Sequence, residues 1–295
     1  QFCCWHDWCR TVSHGNKGNG SQGWRNSGQL VEVDTWGEIE LTQEERKQVA
    51  QRALSLVDLT DLNENCTHEA IDALCVRAQT PFGPVAAICI WPRFVSHAKK
   101  QLRGTNIPIA TVVNFPGGNQ DVDITRAETR AAIEDGAGEI DLVMPYQAFR
   151  AGDLPRAQTM VRSIAETAKD RALLKVILET GELQDPELIR SASEMAIEAG
   201  ADFIKTSTGK VDVNATLDST KIMLDVIRGT DRNVGLKPAG GIKTTEDCAA
   251  YLKQADAIMG DDWVSPRSYR FGASSVLNDL LAALEGRSAA PSSGY

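Results

Sequence analysis

Eight short apolar runs recur along this sequence from about residue 38 onward, and amphipathic segments separate them. The runs are mostly apolar throughout and do not alternate with polar residues, which is typical of strands buried on both faces of a parallel sheet. They cover residues 54–59, 85–90, 107–113, 140–144, 173–178, 203–204, 234–236 and 269–273. This repetition constrains the fold more than any other feature of the chain.

The segments between the runs carry helical periodicity together with helix start and stop signals. A capping box at Thr42 and Glu45 opens the first segment, and Gly136 and Gly200 stand where later helices should end. The clearest helical patterns cover residues 124–135, 156–169, 187–199, 219–228 and 245–254. Eight strand–helix units filling about 250 residues predict an α/β fold, a closed (β/α)8 TIM barrel in a single domain. An open doubly wound sheet, which usually has fewer strands, is the alternative.

The first 37 residues differ from the rest of the chain. Residues 1–28 hold three of the six tryptophans and three of the seven cysteines, and they show neither strand nor helix periodicity. A zinc site is conceivable there, but the spacing matches no common zinc pattern, and a glycine pattern at 18–23 lacks the strand that a dinucleotide fingerprint needs. We therefore predict a disordered N-terminal extension over residues 1–37 and a barrel over 38–295 that ends in a flexible tail. The zinc candidates are Cys3, Cys4, His6, Cys9 and His14.

The charge and the cysteines restrict the partners and the compartment. With 31 basic and 40 acidic residues the formal net charge is −9, which argues against nucleic acid or an anionic membrane as the main partner. No apolar run approaches the roughly 18–20 residues that cross a bilayer. Seven cysteines without framework spacing favour a reducing, cytoplasmic location. An anionic ligand would need a local group of cations.

Polar residues stand in or directly after most of the apolar runs. In a (β/α)8 barrel the carboxyl ends of the strands face the active site, and a charge buried there without a partner is costly. Each of these residues therefore needs either a pairing or a chemical task. They are Asp58, Cys89, Asn114, Asp141, Lys175, Glu179, Lys205 and Lys237.

Lys205 and Lys237 end the sixth and seventh runs and should lie side by side over the barrel mouth. Two neighbouring ammonium groups disfavour each other's charge, and partial desolvation acts in the same direction. One of the amines would then be neutral and nucleophilic, as Schiff-base chemistry with a carbonyl substrate requires. The alternative is that each lysine is simply paired with a strand-end carboxylate such as Asp141 or Glu179.

A separate pattern after strands six, seven and eight indicates a phosphate site. Glycines let backbone N–H groups approach the phosphate oxygens, a helix N-terminus favours the anion, and serine hydroxyls donate. No metal set competes, because His68 and His97 have no acidic or cysteine partner at ligand spacing, and we expect no metal and no cofactor. The predicted phosphate residues are Gly209, Lys210, Gly240, Gly241, Lys243, Gly272, Ser274 and Ser275, and Thr208 supplies a further donor to the substrate.

Several strings of this sequence resemble those of the 2-deoxyribose-5-phosphate aldolase family, over residues 41–295. They are DFIKTSTGKV, GLKPAGGIKTTEDC, RFGASS, EIDLVMPY, LLKVILETGEL and AAICIWPRF. The resemblance implies a (β/α)8 barrel and a metal-independent class I aldolase, an aldehyde-lyase of deoxyribose phosphate catabolism. Its substrate would be cleaved reversibly to glyceraldehyde 3-phosphate and acetaldehyde.

The resemblance also implies roles for individual residues. Lys205 matches the Schiff-base lysine, Lys237 the second lysine that favours the neutral amine, and Asp141 the aspartate of a proton relay to the C3 hydroxyl. Asp58 and Cys89 match positions that contact the hydroxyl end of the substrate. The last residue, Tyr295, matches a terminal tyrosine that reaches back to the site.

Departures from the family pattern are mild. Lys243 stands where relatives often carry arginine and replaces a bidentate phosphate contact by a point charge. Trp91 and Met144 replace other bulky residues beside Cys89 and Asp141. A Schiff-base aldolase or transaldolase for a different sugar phosphate is the nearest alternative, and a non-catalytic phosphosugar-binding barrel is the more distant one. A homodimer is possible.

Overall fold

Eight parallel strands form the centre of the structure, a computed structural model that describes residues 40–287. The predicted extension over 1–37 and the terminal Tyr295 lie outside the described residues. The predicted barrel is confirmed, and each of the eight apolar runs overlaps a strand. The strands are β1 Val57–Asp61, β2 Ala87–Ile90, β3 Ile109–Val113, β4 Glu139–Val143, β5 Leu173–Ile177, β6 Phe203–Lys205, β7 Gly235–Lys237 and β8 Phe271–Ala273.

The strands follow one another around the barrel in chain order. Every neighbouring pair from β8 through β1 to β7 is parallel and hydrogen-bonded. The last seam, between β7 and β8, is joined by two isolated parallel bridges, Leu236 to Tyr269 and Ala239 to Gly272. The carboxyl ends of all eight strands therefore open on the same face, where barrel enzymes place their active sites.

Helices follow the strands and form the outer layer. Thr42 caps the first helix with Glu45 in the predicted capping box, and Gly136 ends a later helix with a left-handed φ of 113°. No helix within residues 40–287 is long and apolar enough to cross a membrane. The helices are α1 Gln43–Leu54, α2 His68–Arg77, α3 Val95–Gln101, α4 Val122–Asp135, α5 Tyr146–Arg150, α6 Leu154–Ala168, α7 Thr180–Leu183, α8 Pro186–Glu198, α9 Leu217–Arg228, α10 Thr245–Met259 and α11 Val276–Leu284.

The first strand begins later than its apolar run predicts. The run starts at Leu54, but this residue is the last of α1, and the strand begins at Val57 after the helix cap at Ser55. Leu54 is buried against the core from the helix. An apolar run therefore shows that residues are buried but does not show where a buried helix end gives way to a strand.

The barrel interior differs between its two sides. Strands β2 and β3 contribute Cys89, Ala110 and Val112, which form a small apolar cluster with Leu62. The remaining strands contribute buried charged side chains, which are described below. Gly272 makes room on the charged side, because a Cβ there would lie 2.7 Å from the Cβ of Ala239 and 3.1 Å from the Cε of Lys237.

One buried carboxylate joins the first, tenth and eleventh helices around the closing seam. Asp279 on α11 accepts two hydrogen bonds from Arg46 on α1, at 2.9 and 3.1 Å. It also accepts from the backbone N–H and the hydroxyl of Thr245 at the start of α10, at 2.7 and 2.6 Å. Asp279 therefore holds the last helix of the barrel against the first.

We expect Asp279→Ala to lower the free energy of unfolding by about 2–4 kcal/mol, because it leaves the buried Thr245 without its acceptor and removes one of the two carboxylates that bind the half-buried Arg46. Urea unfolding followed by circular dichroism measures the change. Asp123→Ala, which removes an exposed pair with Arg126, is the matched control and should change the unfolding free energy by less than about 1 kcal/mol. Equal losses in the two variants would contradict the assigned role of Asp279.

Candidate active site

Seven charged side chains meet inside the barrel on the side away from β2 and β3, and we call them the ion cluster. Three are carboxylates and four are cations, so the cluster carries one positive charge in excess when all seven are ionised. Each residue is at most 5% exposed. Its members are Asp58, Glu139, Asp141, Lys175, Lys205, Lys237 and Arg270.

Asp141 is the central acceptor of the ion cluster. Its Oδ2 atom accepts from both Lys205 Nζ and Lys237 Nζ, each at 2.8 Å, and its Oδ1 atom accepts from Lys175 Nζ at 2.9 Å. Burial alone would raise the pKa of this carboxyl, but the three ammonium groups outweigh burial and hold its pKa well below the usual value. Asp141 is therefore an ionised carboxylate under neutral conditions.

The other two carboxylates hold the cations that lie deeper in the barrel. Asp58 lies 2.6 Å from Lys237 Nζ and 2.6 Å from an Arg270 nitrogen. Glu139 accepts from Lys175 at 2.6 Å and from Arg270 at 2.9 Å. Burial would raise the pKa of Asp58, but Lys237, Lys175 and Arg270 lower it below its ordinary value.

These carboxylates keep the deep lysines charged. Burial would lower the pKa of Lys237, but Asp141 and Asp58 raise it above the ordinary lysine value, and Asp141, Glu139 and Asp58 do the same for Lys175. The predicted alternative, in which the strand-end lysines pair with Asp141, thus describes the contacts of both Lys205 and Lys237. Glu179 instead accepts from Thr208.

Strand register explains why these side chains meet. Lys205 on β6 is the direct partner of Lys237 on β7, and Asp141 on β4 is the direct partner of Lys175 on β5. Side chains two residues apart on a strand share a face, so Glu139 points to the same side as Asp141. The member of the ion cluster that lines the cleft at the ends of β6, β7 and β8 is Lys205.

The cleft above Lys205 has a volume of about 250 Å³. It gathers all nine residues predicted to bind the substrate phosphate or to donate beside it, from the loops after β6, β7 and β8. The remaining wall comes from β1 and the loop after it, together with two apolar residues after β7. The predicted residues are Thr208, Gly209, Lys210, Gly240, Gly241, Lys243, Gly272, Ser274 and Ser275, and the wall includes Thr60, Leu62, Asn63, Ala239 and Ile242.

The cleft offers donors that the protein itself does not use. Among residues 40–287, the backbone N–H groups of Gly209, Gly241, Ser274 and Ser275 have no protein acceptor. Ser275 is also the N-cap residue directly before α11, whose N-terminus favours an anion. Gly240 and Gly241 both have left-handed φ values near 80°, which side chains other than glycine rarely adopt. The geometry suits a phosphate group.

Cys89 and Asp58 lie below the cleft and do not line it. The Cys89 Sγ atom is 3.9 Å from Asp141 Oδ2, and its side chain is fully buried. Burial, followed by the nearby Asp141 charge, raises the pKa of this thiol, which makes it a poor nucleophile. Trp91 and Phe115 pack edge to face at 5.4 Å beside it and complete the apolar side of the site.

Asn114 supports a loop and does not line the cleft. Its Nδ2 donates to the Val143 carbonyl at 2.8 Å, and its Oδ1 accepts from the Gln120 N–H at 2.8 Å. Tyr295, the predicted terminal contact, lies outside the described residues. Within residues 40–287, no group of three or more His, Cys, Asp or Glu side chains is arranged to hold a metal.

Sequence reasoning missed Glu139 and Arg270 and gave Lys175 no role in the site. Glu139 precedes Asp141 by two residues, and Arg270 precedes Gly272 by two. The period of two along a strand would have placed each on the inward face. Glu139 stands directly before its apolar run and Arg270 near the start of another, where a single polar residue is common and gives no signal by itself.

The fold and the site together define a barrel enzyme with lysine chemistry at the carboxyl ends of its strands. The model of the DeoC/LacD family of aldolases matches residues 52–282. The chain belongs to this family and is an aldolase, a lyase, as the resemblance predicted.

Individual relatives agree with this assignment. The deoxyribose-phosphate aldolase of Agrobacterium fabrum is 55% identical over 251 residues, which cover 84% of this chain and 97% of that protein. An aldolase structure called QR15 has a TM-score of 0.67 at 26% identity and covers 78% of this chain and 96% of its own. A crystal structure from Toxoplasma gondii ME49 has a TM-score of 0.76 at 24% identity, covers 83% of this chain and 97% of its own, and supports the fold alone.

We expect Glu139→Gln and Arg270→Met each to lower the free energy of unfolding by about 3–5 kcal/mol, because each removes a charge with which buried neighbours in the ion cluster are paired. The free energy of unfolding of the double variant should fall by clearly less than the sum of the two single losses, since both members of the pair are removed together. Urea unfolding of the four proteins measures the coupling. The exposed pair Asp123 and Arg126 gives the control cycle, in which losses should be small and additive. Additive losses at Glu139 and Arg270 would rule out the coupled cluster.

The stability that the ion cluster confers should depend on pH at both extremes. The pKa of Asp58 is lowered in the folded state, so its contribution is present above the ordinary value of 3.8 and is lost as the pH falls below it. The pKa of Lys237 is raised, so its contribution is present below the ordinary value of 10.5 and is lost as the pH rises above it. The difference in unfolding free energy between the wild type and Asp58→Asn should be flat from about pH 5 to 9 and shrink on further acidification. A difference that grows on acidification would contradict this assignment.

Proposed function

We propose that this aldolase cleaves 2-deoxyribose 5-phosphate reversibly to glyceraldehyde 3-phosphate and acetaldehyde, through a Schiff base on Lys205. The observation that carries the proposal is the position of Lys205. It belongs to the ion cluster and also lines the cleft, whose backbone N–H groups are free to bind an anion. The close relative from Agrobacterium fabrum, a deoxyribose-phosphate aldolase, supports this substrate.

The charge balance of the ion cluster favours Lys205 as the nucleophile. An amine must be unprotonated to attack a carbonyl carbon. Four cations face three carboxylates, so one ammonium can lose its proton and leave the cluster neutral. The cations Lys175 and Lys237 each lie close to two or more carboxylates, whereas Lys205, among residues 40–287, pairs with the Asp141 carboxylate alone and borders the cleft.

The reaction then proceeds in balanced steps. The Lys205 amine adds to the C1 aldehyde, the Asp141–Lys237 pair gives a proton to the new hydroxyl group, water leaves, and an iminium forms that accepts electrons from the C2–C3 bond. As that bond breaks, the C3 hydroxyl passes its proton, through a water, to the same pair, and glyceraldehyde 3-phosphate departs. The pair then protonates the remaining enamine at C2, and water hydrolyses the resulting iminium to acetaldehyde and free Lys205, which releases the proton taken up when the first iminium formed. Proton transfer by placed groups contributes about 10²–10⁴-fold in rate.

The phosphate of the substrate occupies the cleft at the loops after β6, β7 and β8. The free N–H groups of Gly209, Gly241 and Ser274 donate to its oxygens, and the N-terminus of α11 stabilises its charge. Lys210 and Lys243, both exposed at the cleft, supply the local positive charge that the overall charge of −9 conceals. The reactive C1 end then reaches down to Lys205.

Four further expectations stay with this proposal. Asp58 and Cys89 act from beneath the substrate's hydroxyl end, and Tyr295 closes over the site from the chain terminus. The enzyme works in the cytoplasm, which the free thiols of Cys75, Cys89 and Cys248 favour. It forms a homodimer, which analytical ultracentrifugation of the full chain tests directly.

We expect borohydride in the presence of acetaldehyde to convert Lys205 irreversibly to N-ethyl-lysine, with loss of activity. Peptide mass mapping identifies the modified residue, and Lys175, an equally buried lysine of the same cluster, serves as the internal control that should stay unmodified. Lys237→Met should still allow some labelling but lower kcat by about 10²–10⁴-fold.

Labelling at a lysine other than Lys205 would overturn the mechanism. Labelling at Lys205 without turnover of 2-deoxyribose 5-phosphate would instead indicate a Schiff-base aldolase or transaldolase for another sugar phosphate. The wild-type assay with that substrate separates the two results.

A further inference from the structure

Glu179 is a buried residue in a strained backbone conformation that the proposed reaction steps do not use. It follows β5 by two residues and precedes α7, with φ 57° and ψ 60°. Non-glycine residues rarely adopt this left-handed conformation, and when they do the cost of about 1–3 kcal/mol points to a function that the surroundings enforce. The side chain is completely buried.

The Glu179 carboxylate binds the loop that follows β6. Its Oε1 atom accepts from the Thr208 N–H at 3.1 Å, and its Oε2 atom accepts from the Thr208 hydroxyl at 2.5 Å. Thr208 Oγ1 in turn accepts from the Lys210 N–H at 3.1 Å. The carboxylate thereby fixes both the main chain and the side chain of Thr208.

Backbone contacts extend this support on both sides of Glu179. The Leu178 N–H donates to the Lys205 carbonyl and the Thr180 N–H to the Thr206 carbonyl, each at 2.9 Å. Thr206 Oγ1 accepts from the Ala239 N–H at 3.0 Å, which continues the connection to the loop after β7. The segment at Glu179 therefore underlies two of the three loops that line the cleft.

Thr208 and Lys210 use their N–H groups inside this arrangement, and the Gly209 N–H between them stays available. Within the described residues the Gly209 N–H has no protein acceptor. Gly209 has a left-handed φ of 81° and is exposed to the cleft. Lys210 Nζ donates to the Leu62 carbonyl at 2.9 Å across the cleft. The loop conformation that presents the Gly209 N–H and the Lys210 charge thus depends on the Thr208 hydrogen bonds to Glu179.

The Glu179 carboxyl is the acceptor in its hydrogen bonds with Thr208. Burial raises the pKa of this carboxyl above its ordinary value, although the Thr208 hydrogen bonds and the Lys205 charge act in the opposite direction. Glu179 nevertheless makes no ion pair with Lys205, whose ammonium donates to Asp141. Its direct contacts lead to the phosphate loop, and the amine that attacks the substrate is bound elsewhere.

We propose that Glu179 is a positioning residue for the phosphate end of the substrate, acting through Thr208 on the loop Thr208–Gly209–Lys210. The proposal rests on the proposed function of the cleft as a phosphate site. It assigns to Glu179 an effect on substrates that carry the phosphate and no comparable effect on Schiff-base formation at Lys205.

The test compares 2-deoxyribose 5-phosphate with 2-deoxyribose in the wild type, Glu179→Gln and Glu179→Ala. Loss of hydrogen bonds to a charged acceptor should raise KM for the phosphorylated substrate by roughly 10- to 100-fold in Glu179→Ala and less in Glu179→Gln. kcat/KM for 2-deoxyribose should change by less than about threefold. Inorganic phosphate should also inhibit the 2-deoxyribose reaction less strongly in these variants, in parallel with the rise in KM for the phosphorylated substrate.

Two measurements keep the result independent of folding. The amount of acetaldehyde trapped on Lys205 by borohydride counts the competent sites in every variant, and rates are expressed per site. Gln184→Gly is the matched control, because Gln184 has a left-handed φ at the other end of α7, is exposed, and within residues 40–287 makes no hydrogen bond to a cleft loop. This control should keep the wild-type preference for the phosphorylated substrate.

A double variant tests the route of the effect. Thr208→Val should also raise KM for the phosphorylated substrate. The double variant of Thr208→Val with Glu179→Gln should raise this KM no more than the larger of the two single changes, because both substitutions disrupt the same interaction. Equal losses with both substrates, or an unchanged KM for the phosphorylated one, would overturn the role of Glu179. A wild-type enzyme that trapped acetaldehyde at Lys205 but did not prefer the phosphorylated sugar would instead disprove the phosphate site itself.

Discussion

The contact of three ammonium groups with the single Asp141 carboxylate is the interaction on which the site depends. Gathering charges in a barrel interior is costly, and a fully paired arrangement is needed to offset the loss of water. Asp58 and Glu139 complete the pairing from below and hold Lys237, Lys175 and Arg270 as cations. Because the three carboxylates balance the charges of these three cations, Lys205 at the edge of the cleft accounts for the one positive charge in excess. The chemistry therefore follows from how the other charges are balanced.

Barrel geometry brings those charges together and separates them from the phosphate cleft. Parallel strands in register place Lys205 beside Lys237 and Asp141 beside Lys175. The loops beyond the same strands carry the glycines, serines and lysines of the cleft, so one ligand can reach both regions. The apolar side at Cys89, with Trp91 and Phe115 against it, borders the buried charges and excludes water. The bridges between β7 and β8 join the strands whose loops carry most of the cleft.

The sequence alone predicted the barrel because each strand is buried on both faces and reads as an apolar run. It also identified Lys205, Lys237 and Asp141, since charges in or directly after such runs need a partner or a task. Glu139 was missed because it stands directly before a run, where polar residues are common, and Arg270 because the residues around it were interpreted only as a phosphate loop. The residue types around Glu179 did not reveal its hydrogen bonds to Thr208, which depend on a left-handed turn and on contact between neighbouring loops. Local patterns show burial and spacing, whereas pairings across strands require the folded barrel.

The protonation states in the ion cluster test this account most directly. Neutron diffraction from crystals of the deuterium-exchanged enzyme near neutral pH locates every exchangeable deuteron on the lysines and carboxylates. The account predicts three deuterons on each of the Nζ atoms of Lys175 and Lys237 and none on the Asp141 carboxylate. A neutral Lys175 or Lys237, or a deuteron on Asp141, would contradict it.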